Sequence, residues 1–423
     1  MKKIAVIGAG ISGLSVAQML KDKFDVTVFE LSAQVGGMIK CENIDGNLYH
    51  KVGGHVFNSK IPEVLDWFWK HFDREKEFIP ARRNAKIWLN NQIVGYPIEN
   101  YLYQLPEDIA SKIIAELLEI SKKEKTTKLS FGQFLIDTFG QTLYNIYFEP
   151  YNQKIWQTPL NEIPLDWLDG KLPMPEIEQI LLSNILRKEE QNMVHAKFYY
   201  PSQNGSQFIA DRFTQNLNIR LSTEIISIDK TENQFILSTK NETETFDYII
   251  YTGDVRKLPS ILMSVKLKSN QNIEQLSSFK SHSTSNLLCT TNPTDLSWLY
   301  FPDKKIAAHR IIFTGNFSPS NNATSNQISC VIEFSGKHSF VQMCAELTKL
   351  PLPLHPITGN YHQNSYVIQD NNTRTIINSI KLDLEPQGFF LSGRFAEWEY
   401  YNMDKCMESA MKAAHKIESI VNC

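Results

Sequence analysis

The chain lacks several features that mark specialised classes of protein. Its six cysteines are scattered through 423 residues without a CxxC pair, so neither a disulfide framework nor a zinc site is indicated, and a reducing cytoplasm is the expected location. No uninterrupted apolar segment approaches the roughly 20 residues of a membrane-spanning helix. There is also no charge excess, because Lys+Arg 43 against Asp+Glu 46 give a net charge of -3. That balance argues against a nucleic acid or an anionic membrane as partner.

The composition is that of an ordinary globular protein. Hydrophobic residues make up 42% of the chain and charged residues 21%, which are typical values. At 423 residues the chain exceeds the size at which a single hydrophobic core keeps growing, so two or three domains are expected.

The N-terminal sequence KKIAVIGAGISGLSVAQML predicts a dinucleotide-binding strand, turn and helix. Gly8 permits the tight turn, Gly10 lets backbone amides approach a pyrophosphate, and Gly13 allows the helix to pack closely on the strand. The helix start, at Ile11 and Ser12, then faces the phosphates with its partial positive charge. A second strand, DVTVFE, ends in an acidic residue at the spacing that suits a ribose. This carboxylate, Glu30, disfavours the 2'-phosphate of NADP.

The next segment favours FAD over NAD. In LSAQVGGMIK the pair Gly36-Gly37, followed by Met38, extends the phosphate-facing loop. This arrangement resembles FAD-binding oxidoreductases of the glutathione reductase and amine oxidase type. Residues 222–253 alternate like a meander of strands and close on DYIIYTG. In flavoproteins of this type such a segment returns to the first domain, which implies a backbone contact near Ile225 to the adenine.

These patterns predict a discontinuous architecture that combines α/β and α+β parts. A Rossmann-like FAD-binding domain is expected from residues 1–85, 195–265 and 385–423. Residues 86–194 are predicted to form a mainly helical insertion. Residues 266–384 are predicted to form an antiparallel β-sheet substrate domain, whose strands are separated by turns rich in Asn, Ser and Pro. The flavin is expected where the three parts meet.

Five local motifs carry a resemblance to a known family: GGHVFNS (53–59), WLNNQIVGYPI (88–98), YNQKIWQTPLNEIP (151–164), HRIIFTGNFSP (309–319) and SGRFAEWEYYNMDK (392–405). In this order they resemble UDP-galactopyranose mutase, within the wider amine oxidase and protoporphyrinogen oxidase-like group. The resemblance implies an FAD-dependent enzyme of surface polysaccharide biosynthesis that interconverts pyranose and furanose forms of a nucleotide sugar. In that family N5 of the reduced flavin attacks the anomeric carbon. A reductant such as NAD(P)H is then needed, and a homodimer is possible.

The resemblance also implies roles for individual residues. Arg310 is expected to hold the substrate diphosphate, because a planar guanidinium donates bidentate hydrogen bonds. The alternative for each candidate is an ordinary structural role on a strand or in a core. The catalytic candidates are Arg310 and His55, and the substrate-binding candidates are Trp156, Tyr366, Tyr400 and Asn402. The cofactor-binding candidates are Gly8, Gly10, Ile11, Ser12, Gly13, Glu30, Gly36, Gly37, Met38, His55, Ile225, Gly393, Arg394, Asn402 and Met403, and no metal site is expected.

The chain departs from the mutase pattern on the nucleotide side. Met174-Pro175 stands where the family has the arginine of a Leu-Pro-any-Arg motif, and Lys171 is the nearest cation. Asn402 replaces an aspartate, and NSK follows Phe57 where the family has a histidine. The expected substrate is therefore a nucleotide sugar other than plain UDP-galactose, such as a deoxy or acetamido sugar. An FAD-dependent amine oxidase or protoporphyrinogen oxidase-like oxidoreductase is the alternative, and a non-catalytic FAD-binding partner subunit is a third.

Overall fold

The computed structural model describes residues 1–123, 130–165, 176–188, 196–265 and 270–421. Lys171, Met174 and Pro175 lie outside the described residues. The strands are β1 (Lys3–Ile7), β2 (Asp25–Phe29), β3 (Cys41–Ile44), β4 (Asn47–His50), β5 (Phe78–Arg82), β6 (Ala85–Leu89), β7 (Gln92–Gly95), β8 (Lys197–Pro201), β9 (Asn218–Arg220), β10 (Ser227–Lys230), β11 (Phe235–Ser238), β12 (Thr243–Phe246), β13 (Tyr248–Tyr251), β14 (Lys280–Thr291), β15 (Trp298–Tyr300), β16 (Ala308–Ile312), β17 (Ile328–Ser335), β18 (Leu354–Ile368) and β19 (Phe389–Leu391). The helices are α1 (Ile11–Leu20), α2 (Pro62–Trp69), α3 (Arg74–Glu77), α4 (Glu107–Ser121), α5 (Phe131–Phe139), α6 (Gln141–Leu143), α7 (Glu149–Trp156), α8 (Ile177–Leu186), α9 (Gln207–Arg212), α10 (Leu258–Ile261), α11 (Asn270–Gln275), α12 (Phe340–Glu346), α13 (Thr373–Leu384) and α14 (Met403–Val421).

A five-stranded parallel sheet carries the Rossmann-like part of the fold. Its strand order is β19-β13-β1-β2-β9, so pieces from the beginning, middle and end of the chain lie side by side. Parallel strands buried on both faces read as continuous apolar runs, as β1 does. Helices α1 and α14 pack together beside this sheet, and α14 buries a stripe that includes Met407, Ala410, Ala414 and Ile417. The predicted fold class is confirmed.

The segment that leads back into this sheet is a meander. Strands β10, β11 and β12 pair antiparallel in sequence order. The chain then enters β13, which pairs in parallel with β1, with Ile4 opposite Tyr248. Residues 222–253 therefore contain the predicted meander of strands, which returns to the first sheet. The Thr252-Gly253 dipeptide after β13 lies next to the β1–α1 turn, where Thr252 Oγ1 donates to the Ile7 carbonyl at 2.9 Å.

The seven-stranded sheet departs from the expectation of a purely antiparallel one. Its order is β18-β14-β17-β16-β15-β6-β7, and β15 pairs with β6 in parallel, with Trp298 opposite Ala85. Strands β6 and β7 come from the segment read as helical. They form a hairpin whose turn residues, Asn90 and Asn91, both have positive φ angles of 51° and 62°. A two-residue turn with both residues left-handed favours a tight hairpin, and this hairpin extends the sheet beyond β15, so that β7 is the edge strand.

The helical part packs on that sheet and brings α7 to it. In α4 the residues Ile113 and Leu117, one helical turn apart on one face, are fully buried. A π-helical turn, Tyr144–Phe148, lies between α6 and α7, and such turns often mark functional sites. One hydrophobic cluster contains side chains of α7 together with Trp298 and Tyr300 of β15. Within the described ranges no helix is long and apolar enough to cross a membrane.

Candidate functional site

A cavity of about 1640 Å³ runs from the β1–α1 turn to the seven-stranded sheet and α7. Ligand pockets commonly have volumes of roughly 300–1,000 Å³, so this cavity has room for a dinucleotide and a second ligand. Its walls come from the Rossmann-like part, the helical part and the large sheet. The expectation that the site lies where three parts of the chain meet agrees with this geometry.

One end of the cavity is a cradle of closely approaching backbone. A Cβ atom on Gly13 would lie 1.9 Å from the carbonyl oxygen of Gly8, and one on Gly37 would lie 3.1 Å from the Cα of Gly10. The Gly36 N–H donates to the carbonyl of Ala9 at 2.8 Å. Side chains are excluded at these contacts, which leaves backbone N–H groups and the start of α1 facing the cavity, a suitable surface for phosphates.

Glu30 is held at the carboxyl end of β2. Its Oε2 accepts from the backbone N–H of Ala9 at 2.8 Å, and its Oε1 accepts from the backbone N–H and hydroxyl of Ser32 at 2.9 and 2.7 Å. Lys40 donates to the same Ser32 hydroxyl at 2.5 Å. An ionised carboxylate has about four acceptor positions, so these three bonds orient Glu30 and leave capacity for a ribose hydroxyl.

Arg394 supplies a cation on the wall of the cavity. Its guanidinium lies over the ring of Tyr400, 4.2 Å from the centroid. Its Nε and Nη2 atoms are buried without a hydrogen-bond partner among the described residues. A Cβ on the preceding Gly393 would lie 2.2 Å from the hydroxyl oxygen of Ser12, so this loop is pressed against the start of α1. Because buried donors without partners are costly, these nitrogen atoms are suited to an anionic ligand such as a phosphate group.

His55 is a second cavity residue with a buried nitrogen atom that can donate or accept a hydrogen bond. Its Nε2 has no hydrogen-bond partner in the part of the chain that the structure describes. Burial lowers the pKa of His55 to about 4, with Arg394 and Arg310 acting in the same direction and Glu333 opposing them. The imidazole is therefore neutral at pH 7 and can form a hydrogen bond without adding charge to the cavity.

Arg310 of β16 is fixed by two side chains of the same sheet, one on the adjacent strand β17 and one on β18. Its Nε donates to Oε2 of Glu333 at 2.5 Å, and its Nη2 donates to the hydroxyl of Tyr366 at 3.1 Å. Nε2 of His309 lies 3.4 Å from the same carboxylate. Burial alone would raise the pKa of Glu333, but Arg310 and His309 hold it well below its ordinary value. Glu333 is thus an anion at neutral pH and orients Arg310 along the cavity wall.

Three aromatic rings form the wall beside Arg310. The rings of Tyr366 and Tyr400 are nearly parallel, with centroids 5.7 Å apart and an interplanar angle of 8°. The Trp156 ring meets both edge-on, at centroid distances of 6.0 and 5.9 Å. Rings from α7, from β18 and from the loop after β19 therefore meet in one cluster, an arrangement that stabilises the wall beyond simple area burial.

The structure brings nearly all the predicted residues to this one cavity. Gly13 and Gly393 pack behind its surface, whereas the other candidates line it. Asn402 is exposed on its rim, and its carbonyl accepts from the Cys406 N–H at 3.0 Å in the first turn of α14. The roles of these residues remain predictions.

Four further residues on the wall were missed by the sequence reasoning: Arg83, Tyr151, Tyr300 and Glu333. Glu333 carried a usable signal, since QISCVIEF places an acid inside an apolar strand, where an unpaired carboxylate is costly. Arg83 carried none, because its exposed neighbour Arg82 has the same charge and only the fold distinguishes the two.

Known proteins with similar sequences and folds include mutases and oxidases by name. A model of the NAD(P)-binding Rossmann-like domain matches residues 6–72. The chain is 21% identical to a dTDP-fucopyranose mutase from Escherichia coli, over 98% of each chain. Its fold matches the crystal structure of a reduced UDP-galactopyranose mutase with a TM-score of 0.89 and 20% identity, covering 99% of this chain and 94% of the other. It matches a putative protoporphyrinogen oxidase from Exiguobacterium with a TM-score of 0.77 and 14% identity, covering 99% of each chain. The resemblance to the mutase-like group is confirmed.

Proposed function

We propose that this chain is an FAD-dependent mutase that interconverts the pyranose and furanose forms of a nucleotide sugar other than plain UDP-galactose. The sequence similarity to a dTDP-fucopyranose mutase extends over nearly the whole of both chains. In fold, the chain is more similar to the UDP-galactopyranose mutase than to the putative protoporphyrinogen oxidase. The dinucleotide cradle and the buried donors of Arg394 support FAD as the cofactor.

The observation that carries the proposal is the geometry of Arg310. Glu333 and Tyr366 each accept a hydrogen bond from a different nitrogen atom of Arg310, and these two bonds fix the plane of the guanidinium. The remaining N–H groups lie on the wall of the cavity that Arg394 also lines. A planar fork held in this way suits a diphosphate, since it can donate two parallel hydrogen bonds to phosphate oxygens.

Bound in its reduced form, FAD supplies a nucleophilic nitrogen for the anomeric carbon of the sugar. The protein binds the departing diphosphate through Arg310 and gives the sugar an aromatic wall in Trp156, Tyr366 and Tyr400, which also excludes water. The first turn of α14, beginning at Met403, leaves backbone N–H groups that favour negative charge nearby. These groups would stabilise an anionic reduced cofactor.

The supply of electrons and the location follow from the same proposal. A mutase of this kind has no net redox change, yet it needs the reduced cofactor, so a reductant such as NAD(P)H is inferred. The cysteines that the structure describes, Cys41, Cys289, Cys330, Cys344 and Cys406, are all free thiols, which favours a reducing compartment such as the cytoplasm. A homodimer remains a prediction.

The test is an isomerisation assay with reduced enzyme. FAD-loaded protein is reduced with dithionite and incubated with dTDP-fucopyranose, UDP-galactopyranose and an acetamido sugar nucleotide, and the furanose product is separated by chromatography. We expect product from reduced enzyme and none from oxidised enzyme. Absence of isomerisation across the panel, together with oxygen-dependent turnover of an amine or a porphyrinogen, would instead establish the oxidoreductase alternative.

A matched pair of variants locates the activity. Arg310→Gln should lose most of the isomerisation while keeping the bound flavin spectrum. Arg212→Gln is the control, because Arg212 also forms an ion pair, with Glu77 at 2.5 Å, and is similarly exposed, but lies away from the cavity. If both variants lose activity equally, Arg310 serves the fold and not the substrate.

A further inference from the structure

Arg83 is held in place by backbone contacts on both sides. It follows β5, and its N–H donates to the carbonyl of Ala196 at 3.0 Å. The next residue, Asn84, donates from its backbone to the Ser297 hydroxyl at 3.2 Å and from its side chain to the carbonyl of Asp295 at 3.0 Å. The Cα of Arg83 is thereby fixed between the β5–β8 pair and the seven-stranded sheet, and its side chain reaches the cavity.

Aromatic rings surround the Arg83 guanidinium. Its Cζ lies 4.9 Å from the ring centroid of Tyr96, 5.1 Å from that of Trp298 and 5.9 Å from that of Tyr300. Its Nη2 also donates to the hydroxyl of Tyr300. Ring faces and a phenol hydroxyl both stabilise a cation. They orient Arg83 and keep it positive.

Tyr300 connects Arg83 to Arg310. In the antiparallel pair of β15 and β16, Tyr300 is directly opposite Arg310, so the two side chains lie on the same face of the sheet. The ring of Tyr151 meets that of Tyr300 edge-on, with the two centroids 5.4 Å apart. Tyr300 therefore lies between the two arginines, and all four side chains line the one cavity.

We propose that Arg83 is a second anion-binding residue of the substrate pocket, which receives an oxyanion of the substrate near the Tyr151–Tyr300 pair while Arg310 receives the diphosphate from the other side. This inference rests on the proposed function. The oxyanion is either a phosphate oxygen of the nucleotide or a carboxylate of the sugar, because a guanidinium recognises both by the same paired hydrogen bonds. In the first case Arg83 provides, from another part of the chain, the second cation that the resemblance leads one to expect at Met174-Pro175.

The test is equilibrium binding, which needs no turnover. FAD-loaded wild type, Arg83→Gln and Arg83→Lys are titrated with dTDP and with thymidine, and binding is followed by calorimetry. Arg82→Gln is the matched control, since Arg82 is the exposed neighbour with the same charge. Loss of a hydrogen bond to a charged group corresponds to about a ten- to hundredfold weaker affinity. We expect that loss for dTDP with Arg83→Gln, unchanged thymidine binding, and no loss with Arg82→Gln.

A second arm distinguishes the two sources of the oxyanion. UDP-galacturonate and UDP-galactose are compared in the same proteins. If dTDP binding is unaffected and Arg83→Gln removes a wild-type preference for the uronate, the oxyanion is a sugar carboxylate. The proposal is overturned if Arg83→Gln binds dTDP as the wild type does and shows no change in that preference.

A purely structural role for Arg83 has a different signature. It would lower thermal stability and flavin retention but leave the ratio of dTDP to thymidine affinity unchanged, which also overturns the proposal. Should Arg83→Gln fail to fold, Arg83→Lys carries the test, because it keeps the charge and removes the planar fork. If the protein isomerises no sugar nucleotide but its dTDP affinity still depends on Arg83, the proposed function is wrong, whereas the anion-binding role of Arg83 is supported.

Discussion

The guanidinium of Arg310 donates from Nε to Glu333 at 2.5 Å, and the two residues are direct partners across β16 and β17. Only 1% of the Glu333 side chain is exposed, against 22% for Arg310. The anion is therefore the more deeply buried partner on the cavity wall, and the cation is the more accessible one. In such a pair the carboxylate orients the arginine, and the arginine makes the buried carboxylate tolerable.

Removing that carboxylate should be costly. Glu333→Gln keeps the shape of the side chain but leaves the Arg310 charge without its partner. We expect the free energy of unfolding of the FAD-loaded protein to fall by roughly 3 kcal/mol, the lower end of the range for breaking a buried ion pair. Urea unfolding measures it. The control is Glu242→Gln, whose partner Arg220 lies at the surface and which should cost less than about 1 kcal/mol. Equal losses for both variants would contradict this account.

Two glycines of the cradle should respond differently to a methyl group. A Cβ on Gly10 would meet no heavy atom closer than 3.9 Å, whereas one on Gly13 would lie 1.9 Å from a backbone oxygen. We expect Gly10→Ala to unfold within about 0.5 kcal/mol of the wild type, yet to bind FAD at least about tenfold more weakly because the methyl group enters the phosphate cradle. Gly13→Ala should fail to fold or lose FAD entirely. Flavin fluorescence titration decides, and wild-type affinity in Gly10→Ala would place the pyrophosphate elsewhere.

Arg394 should contribute to the affinity for FAD but not to the stability of the apoprotein. Two of its nitrogen atoms are buried without a partner in the described structure, so Arg394→Met should leave the unfolding free energy of the apoprotein unchanged or raise it. The same variant should bind FAD about ten- to hundredfold more weakly, the effect of losing hydrogen bonds to a charged group.

The matched control for Arg394 is Arg374. This residue donates to the carbonyls of Glu397 and Trp398 and pairs with Glu399 at 3.1 Å. Arg374→Met should therefore lower the stability of the apoprotein by about 1–3 kcal/mol and affect FAD only through folding. A stabilising role for Arg394 in the apoprotein, of similar size to that of Arg374, would be evidence against the pyrophosphate assignment.

What the sequence could predict depended on how local the signal was. The strand, turn and helix around Gly8 are encoded within about twenty consecutive residues, and the structure has them as predicted. The β6–β7 hairpin was not predicted, because its place in the sheet depends on pairing with β15, where Trp298 lies opposite Ala85. No local sequence pattern specifies a partner strand so distant along the chain. Arg83 escaped for a related reason, since burial of a charged residue is a property of the fold and not of its neighbours in sequence.

The buried histidines predict the acid side of the stability profile. Burial lowers the pKa of His50 to about 3; its Nε2 lies 2.6 Å from the hydroxyl of Tyr200, and it does not line the cavity. Burial also lowers the pKa of His282 to about 4. In the unfolded chain both titrate near pH 6.5. Their contribution to stability is therefore complete above pH 6.5 and is lost as the pH falls towards the lowered values, because only the unfolded chain binds these protons in between.

We expect the free energy of unfolding in urea to decrease between pH 6.5 and pH 5, by about 1.4 kcal/mol per pH unit for each such histidine. The variant His50→Gln lacks one titrating group, so its slope in this window should be shallower by that amount, whatever its stability at pH 7.5. His55 is less suitable, since a bound cofactor changes its surroundings. The same slope in His50→Gln and wild type would mean that His50 is protonated in the folded protein, and that the imidazole beside Tyr200 is less well buried than the structure has it.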